Sequence, residues 1–402
     1  MTGDGRRILA AQALRAAGYG MTSVLLGASL QARGWSSAQV GALLAAILAG
    51  TAVVSVLLGR TANRVGRRRW YALLFAGLAG AGVAFGLTTE LWVLVAVALA
   101  GTLSTDVVES GPFTSLEQAM LPQAALEGRR TRAFGVYNAV AAVAGSLGAL
   151  TAGLPGLLHQ GAASAPSHGW FLVLVPIGVA GAWIASTLSP AVEAEHRAAG
   201  EPPPRPLERS RGTVVRLAGL FAVDSFGGGF VVQAFIAYWL RVRFGASLEF
   251  LAVVFFAVGL LQALSFLAAV RLAGRFGLLN TMVFSHVPSN VLLMALAVAP
   301  NLAVATALLL ARFALSQMDV PTRQAYVATL VDPDERPAAA AFTNTARYVV
   351  RPAGAALAGL AQRVALGLPF AIGGGLKLAY DAVLYVWFRR VPLPAEPGQA
   401  PG

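Results

Sequence analysis

The feature that most constrains this chain is a succession of long apolar runs separated by short polar turns. Each run is close to the roughly 20 residues that carry a helix across about 30 Å of hydrocarbon. Reading the runs between turns predicts twelve helical spans: 8–31, 37–58, 70–88, 91–120, 132–157, 170–188, 214–240, 248–270, 281–299, 302–330, 338–361 and 369–388. A soluble fold cannot absorb so much apolar length. Hydrophobic residues make up 57% of the chain and charged residues only 12%, where soluble proteins carry about 25% charged residues. In hydrocarbon a backbone must satisfy its own polar groups, and runs of this length do so as helices. The expected class is all-α and integral to a membrane, with both ends of the chain on one face because the spans are even in number.

The net charge of +12 suggests nucleic acid, but the positions of the charges suggest topology instead. Nearly every base is an arginine, Lys377 being the only lysine, and the arginines gather in alternate loops. Arg6 and Arg7, the group from Arg60 to Arg69, Arg129 and Arg130, the group from Arg197 to Arg216, Arg271 and Arg275, and Arg389 and Arg390 fall on one side. The other side carries only Arg33, Arg241, Arg243 and Arg363. That bias is the positive-inside pattern. It predicts a multi-pass protein of the inner (plasma) membrane with both termini cytoplasmic, the lipid bilayer as partner and no nucleic acid. The first run follows Arg6 and Arg7 but is interrupted by Gln12 and Arg15 and lacks a cleavage signature, so it is expected to stay as a helix. With no cysteine, disulfides, thiolate metal sites and cysteine nucleophiles are excluded.

The chain is also written twice. Asn138, Gly148 and Gly153 recur as Asn344, Gly354 and Gly359, a constant shift of 206. TANRVG at 61–66 returns as LAGRFG at 272–277. Between the halves, SPAVEAEHRAAGEPPPRPLERSRGT at 189–213 is the one long polar stretch, and its proline run reads as a semi-rigid linker. The expected organisation is a six-helix unit at 1–190, a linker at 191–212 and a second six-helix unit at 213–402. A two-half membrane protein of this kind suggests a solute path between the halves.

Gly59-Arg-Thr-Ala-Asn-Arg-Val-Gly66-Arg-Arg-Arg69, between the second and third spans, resembles the G-x-x-x-D-R-x-G-R-[RK]-[RK] loop of the major facilitator superfamily (MFS). The span number, the linker and the weaker echo at 271–277 match that superfamily as well. HVPSN at 286–290, MDVPTRQAY at 318–326 and GGLKLAYD at 374–381 are similar to a group of bacterial members without an attached substrate. The resemblance implies two pseudo-symmetric six-helix bundles and a conformational-switch loop at Gly59, Arg60, Asn63, Arg64, Gly66 and Arg67. The family's aspartate is Asn63 here, and its second-half counterpart is Gly274, which puts the charged latch in question. The glycine-proline motif of drug and proton antiporters is absent from Gly145-Ser-Leu-Gly148-Ala149.

Charges inside the spans each need a reason, because one at the bilayer centre costs about 2.5–3.5 kcal/mol on insertion scales. The bases are Arg15, Arg312, Arg323, Arg347, Arg351 and Lys377, and the acids are Asp106, Glu109, Glu117, Asp224, Asp319 and Asp381. Equal numbers predict internal pairing. Asp106, Glu109 and Glu117 project from one face of the fourth span, Asn344, Arg347 and Arg351 share a face of the eleventh, and Asp319 and Arg323 are i,i+4 neighbours. Lys377 and Asp381 share that spacing and are expected to neutralise each other as a structural pair. Glu117 is expected near a span end, and His286 as isolated packing. In the family, spans 1, 4, 7 and 10 line the cavity. By position this implies Arg15, Tyr19, Asp106, Asp224, Gln233, Asp319 and Arg323, with Arg347 and Arg351 added from the eleventh, as substrate-binding candidates.

Asp106, Glu109 and Asp224 are the candidate proton-coupling carboxyls, since burial raises a carboxyl and an arriving cation lowers it. The expected activity is that of a secondary transporter, not an enzyme: proton-coupled efflux of a small organic solute by alternating access. The alternative is proton-coupled uptake of an organic anion, motivated by the buried arginines. A membrane enzyme would need a nucleophile or metal constellation, and a non-transporting sensor would show no flux. No cofactor or metal is expected, only a proton gradient, and the protein is expected to be a monomer.

Overall fold

A computed structural model of the chain describes residues 2–104, 106–107, 111–121, 130–155, 168–193, 207–332 and 335–391. Among them the regular structure is entirely helical. The α-helices are α1 (Gly3–Ala32), α2 (Ser37–Val65), α3 (Arg67–Leu87), α4 (Leu91–Ala98), α5 (Pro112–Met120), α6 (Arg130–Thr151), α7 (Leu174–Thr187), α8 (Arg211–Gly229), α9 (Gln233–Phe244), α10 (Leu248–Phe276), α11 (Leu278–Leu296), α12 (Leu302–Ser316), α13 (Asp319–Leu330), α14 (Arg336–Val364) and α15 (Leu368–Phe388). A 3₁₀ turn at His168–Val173 leads into α7. Seven described helical stretches are long and apolar enough to cross a membrane by themselves. Large apolar side chains such as Trp92, Trp183, Leu264, Val270, Phe284 and Val364 stand exposed on the outer surface, as contact with lipid requires.

Twelve spans result because three of them are made of two helices each: α4 with α5, α8 with α9, and α12 with α13. The fourth, seventh and tenth spans were each expected to be continuous, and each is interrupted for a local reason. Gly101 and Gly111 adopt φ of 70° and 61° on either side of the fourth-span break, and Pro112 then opens α5. A side chain at Gly101 would collide with the Gly50 carbonyl of α2, so glycine is needed for both conformation and approach. Side chains satisfy the freed backbone: Thr51 donates to the Leu103 carbonyl at 3.2 Å and Tyr19 to that of Thr102 at 2.5 Å. The seventh span ends its first helix at the Gly227–Gly229 run. The tenth turns at residues 317–318, just before Pro321, which lacks an N–H. The glycine run at 373–375 leaves α15 intact and serves packing, Gly374 against Met294 and Gly373 against Gly227.

The repeat is visible as paired contacts. A Cβ at Gly20 would run into the carbonyl of Gly145, and one at Gly229 into that of Arg351. These are the same position twice, by shifts of 209 and 206 residues. Gly148 presses on Ala17 as Gly354 presses on Phe226. Gly66 and Gly277, with φ of 99° and 82°, form matching one-residue joints between α2 and α3 and between α10 and α11. Small residues at these places let backbones approach, which drives helix association in lipid.

Contacts between the halves seal the end away from the arginine-rich loops. Gly27 on α1 meets the backbone of Ala234 and Tyr238 on α9, Gly41 on α2 meets Gly359 on α14, and Gly153 meets Ala252 on α10. Arg241 donates to Gln31 at 3.1 Å and Gln233 to Ser23 at 2.9 Å across the same seam. At the arginine-rich face the first end of the linker is anchored to the first half. Ser189 bonds Asp4 through its backbone and hydroxyl, and Glu193 accepts from the N–H groups of Arg67 and Arg68 at 2.6 and 3.2 Å. Residues 194–206 of the expected linker lie outside the described residues.

Candidate functional site

The intramembrane charges fall into two groups. The first is closed and lies within the first half. Arg15 on α1 is completely buried and donates to both oxygens of Glu117 on α5, Nε at 3.3 Å and Nη2 at 2.7 Å. Tyr71 of α3 and Tyr137 of α6 donate to the same carboxylate at 2.8 and 2.6 Å. The Arg15 guanidinium also lies 5.2 Å from the Phe113 ring centre. A buried ion pair persists when its remaining lone pairs and protons are met, and this one is met on every side.

Several expectations are thereby corrected. Glu117 is not at a solvated span end, and the break in the fourth span removes it from any common face with Asp106. Arg15 and Tyr19 are not cavity residues, because Arg15 is consumed by Glu117 and the Tyr19 hydroxyl by Thr102. Glu109 lies outside the described residues.

The second group surrounds a cavity of about 150 Å³ beneath the sealed end. Among the described residues its first-half wall is Asp106 and Val107, between α4 and α5, while every helix from α8 to α15 contributes to the other wall. Asp106, Asp224, Gln233, Asp319, Arg323, Arg347 and Arg351 come together here. An ion pair crosses between the halves, from Arg351 Nη1 to Asp106 Oδ2 at 2.5 Å. Asp224 is the hub of the second half, with Lys377 Nζ at 2.6 Å, His286 Nε2 at 3.8 Å and Arg323 Nη1 at 3.9 Å. Arg323 pairs with Asp319 at 2.8 Å.

Lys377 therefore does not neutralise Asp381. Their i,i+4 spacing puts both on one side of α15, but that side meets two neighbours. Lys377 reaches Asp224 on α8, while Asp381 takes His286 Nδ1 and Asn290 Nδ2 from α11, both at 2.9 Å. His286, read as isolated packing, is part of this network.

Arg312 on α12 completes the cavity wall and was left out of the sequence-derived set. It is 7% exposed, and its Nε and Nη1 have no hydrogen-bond partner among the described residues. Its guanidinium carbon lies 4.7 Å from the Phe313 ring centre. The signal was present: Arg312, Ser316, Asp319 and Arg323 follow a helical period along one stripe, and all four line the cavity.

Of the switch loop, Gly59, Arg60 and Arg64 are exposed, Asn63 sits in the last turn of α2, and Gly66 makes the joint. The Arg67 side chain donates to the carbonyls of Ala119 and Val192 at 3.0 and 3.4 Å, tying α3 to α5 and to the end of the sixth span.

An all-helical membrane protein whose broken helices surround a charged central cavity is a secondary transporter by architecture. The sequence matches the Major Facilitator Superfamily over residues 8–355, and the chain belongs to that superfamily. It is 26% identical to an uncharacterized membrane protein of Saccharomyces cerevisiae, YJR124C, over 94% of this chain and 92% of that one. Among solved structures, the nucleoside transporter NupG superposes with a TM-score of 0.73 at 15% identity, covering 96% of this chain and 100% of that one. The D-xylose-proton symporter gives 0.74 at 15%, covering 96% and 98%. A bacterial homolog to the human lysosomal transporter Spinster gives 0.68 at 16%, covering 95% and 94%. These likenesses establish the fold.

Proposed function

We propose that this transporter moves a small organic anion, with proton movement coupled to solute movement. The observation that carries the reading is Arg312, a buried cation on the cavity wall with two donors that have no partner among the described residues. An orphaned buried donor costs about 1–3 kcal/mol, more on a charged group, and a carboxylate or phosphate relieves it through the planar guanidinium fork. The lining as a whole agrees. Five cations, Arg312, Arg323, Arg347, Arg351 and Lys377, face three carboxylates, Asp106, Asp224 and Asp319.

With the arginine-rich face in the cytoplasm of an inner-membrane protein, a seal at the opposite end defines the inward-facing state. Alternating access then amounts to rocking of the halves about the seam of α1, α2 and α6 with α9, α14 and α10. Asp106 is the carboxylate through which coupling reaches the interface, since weakening its pair with Arg351 unties the halves. Asp224 plays the corresponding part inside the second half. Proton coupling is also a property of one relative in fold, the D-xylose-proton symporter.

The test is stabilisation of purified full-length protein by inorganic phosphate, by mono- and dicarboxylates, and by D-xylose and uridine as neutral controls. At a hundred times the dissociation constant a ligand contributes about 2.7 kcal/mol. Stabilisation by an anion that vanishes in Arg312→Gln is expected, and stabilisation by the neutral solutes alone would overturn the anion reading. Flux of the stabilising anion under an imposed pH gradient then gives direction: inward with protons for uptake, outward against them for the efflux expected from sequence.

A further inference from the structure

We propose that His286, held between Asp381 and Asp224, is the proton-carrying group of the cycle, gaining and losing the proton on Nε2 that faces the cavity. This deepens the proton-coupled reading and rests on it.

The argument begins with the ring's two nitrogens. Nδ1 lies 2.9 Å from Asp381 Oδ1, and Nε2 lies 3.8 Å from Asp224 Oδ1. A neutral imidazole has one N–H and one lone pair, so either tautomer turns a lone pair toward a carboxylate. Only the imidazolium presents an N–H to both. The surroundings hold the ring in that alignment. Asn290 Nδ2 donates to the second oxygen of Asp381 at 2.9 Å and lies 3.2 Å from His286 Nδ1, and Tyr380 packs edge-on with ring centres 6.0 Å apart. His286 is 4% exposed and Asp381 is fully buried, yet His286 also lines the cavity, which gives Nε2 access to water there.

The other charges facing this group make the proton consequential. From α15 comes Lys377, from α13 Asp319 and Arg323, from α12 Arg312, and from α14 Arg347 on the same cavity. Three carboxylates, Asp224, Asp319 and Asp381, face Lys377, Arg323, Arg312, Arg347 and the imidazolium, a net excess of positive charge. Arg312, whose Nε and Nη1 have no hydrogen-bond partner among the described residues, is placed to take a solute anion. When the Nε2–H bond breaks and its proton passes to cavity water, the ring becomes neutral with its remaining proton on Nδ1. The positive excess then falls by one, the carboxylates hold Arg312 more strongly, and a solute anion is bound less well. Proton and anion therefore bind together, and by linkage each raises the affinity of the other.

Two measurements without any solute test the site. In the first, full-length protein in nanodiscs carries ¹⁵N-labelled histidine, and His286→Gln identifies the His286 resonances among the four histidines. Imidazolium shifts are expected at the acid end of the range from about pH 5 to 8 in which histidine changes charge. Asp381→Asn should move those shifts toward the neutral form at the same pH. A neutral ring throughout, or shifts indifferent to Asp381→Asn, overturns the proposal.

In the second, the natural absence of cysteine allows a spin-label pair at Arg69→Cys and Arg275→Cys, exposed on the arginine-rich face of the two halves. The distance distribution should respond to pH in the parent and be fixed in His286→Gln, and an unchanged response in the variant overturns the role. Failure of coupled transport itself is distinguishable. Flux in His286→Gln that still follows the pH gradient sinks the histidine and leaves the coupling standing, whereas gradient-independent flux in the parent sinks the coupling.

Discussion

Glu117→Leu and Arg15→Met are the perturbations whose size follows most directly from the geometry. Both side chains are fully buried, and the Glu117 carboxylate accepts from Arg15, Tyr71 and Tyr137. Removing one member of a buried ion pair costs about 3–5 kcal/mol, because the other charge stays in the interior uncompensated. Glu117→Leu also strands two tyrosine hydroxyls, each adding about 1–3 kcal/mol where no other acceptor is found. Arg15→Met leaves those hydroxyls bonded to the carboxylate, so it should be the milder change. The double variant strands neither charge and should cost less than Glu117→Leu alone, a coupling of several kcal/mol where residues in contact commonly show about 0.5–3 kcal/mol. Reversible unfolding in mixed micelles, followed by tryptophan fluorescence and helical circular dichroism, measures all three. Single variants within about 1 kcal/mol of the parent, or strict additivity, would refute the claim that this cluster is a closed ion pair. Anion binding by folded Arg15→Met should match the parent, because Arg15 is not on the cavity wall.

Gly148→Ala should destabilise by about 1–3 kcal/mol in the same assay, because its Cβ meets the Ala17 carbonyl, whereas Gly375→Ala has open space and should be neutral or stabilising by about 0.5–1 kcal/mol. Glu335 accepts from the N–H groups of Glu208, Arg209 and Ser210 at 2.9, 3.0 and 3.0 Å, bonds to its ionised form that hold its pKa down to about 2. A depressed carboxylate pKa contributes stability above its ordinary value and loses it as pH falls toward the lowered one. Amide protection at 208–210 should thus be constant above about pH 5 and fall in Glu335→Gln, as read by hydrogen exchange. Asp106→Asn deletes the charge that Arg351 meets across the halves and should widen the Arg69–Arg275 spin-label distance; an unchanged distribution would show that the pair does not tie the halves.

The fold was legible because hydrocarbon imposes a length and a sign rule on every span, and both are written in composition. The breaks in spans four, seven and ten were less legible. Gly227–Gly229 and Pro321 are visible in sequence, but whether such residues break a helix or serve packing depends on the neighbour, as the intact Gly373–Gly375 run in α15 shows. Ion partners were the least legible. Helical spacing identifies residues on one face, which is how Asp319 and Arg323 were paired, but a face can meet two other helices. Lys377 and Asp381 share a face and diverge to Asp224 and His286. Arg15 and Glu117, separated by 102 positions, carry no mutual signal in one sequence.

The repeat accounts for why the cavity is lopsided. At the equivalent positions 145 and 351, both halves bring a backbone carbonyl against a glycine, Gly20 in one and Gly229 in the other. That contact uses only main chain and leaves the side chain open to choice. In the first half the choice is closed, because a Cβ on Gly145 would collide with Val107, between α4 and α5. The repeat counterpart of Val107, by the shift of 209 that relates the fourth and tenth spans, is Ser316, which is smaller and lines the cavity. The space a valine fills in one half is therefore available in the other, where Ser316 and Arg351 line the same cavity and Arg351 pairs with Asp106. The same scaffold thus buries its charges in the first half, as Arg15 with Glu117, and turns them toward a shared space in the second. Exchanging the sizes, with Ser316→Val in the second half, should press on Arg351 and weaken its pair with Asp106 without disturbing the Gly229 contact. Anion affinity should fall while unfolding stability stays within about 1.5 kcal/mol of the parent. Loss of stability with affinity retained would show that the second-half site is built on packing that the repeat does not describe.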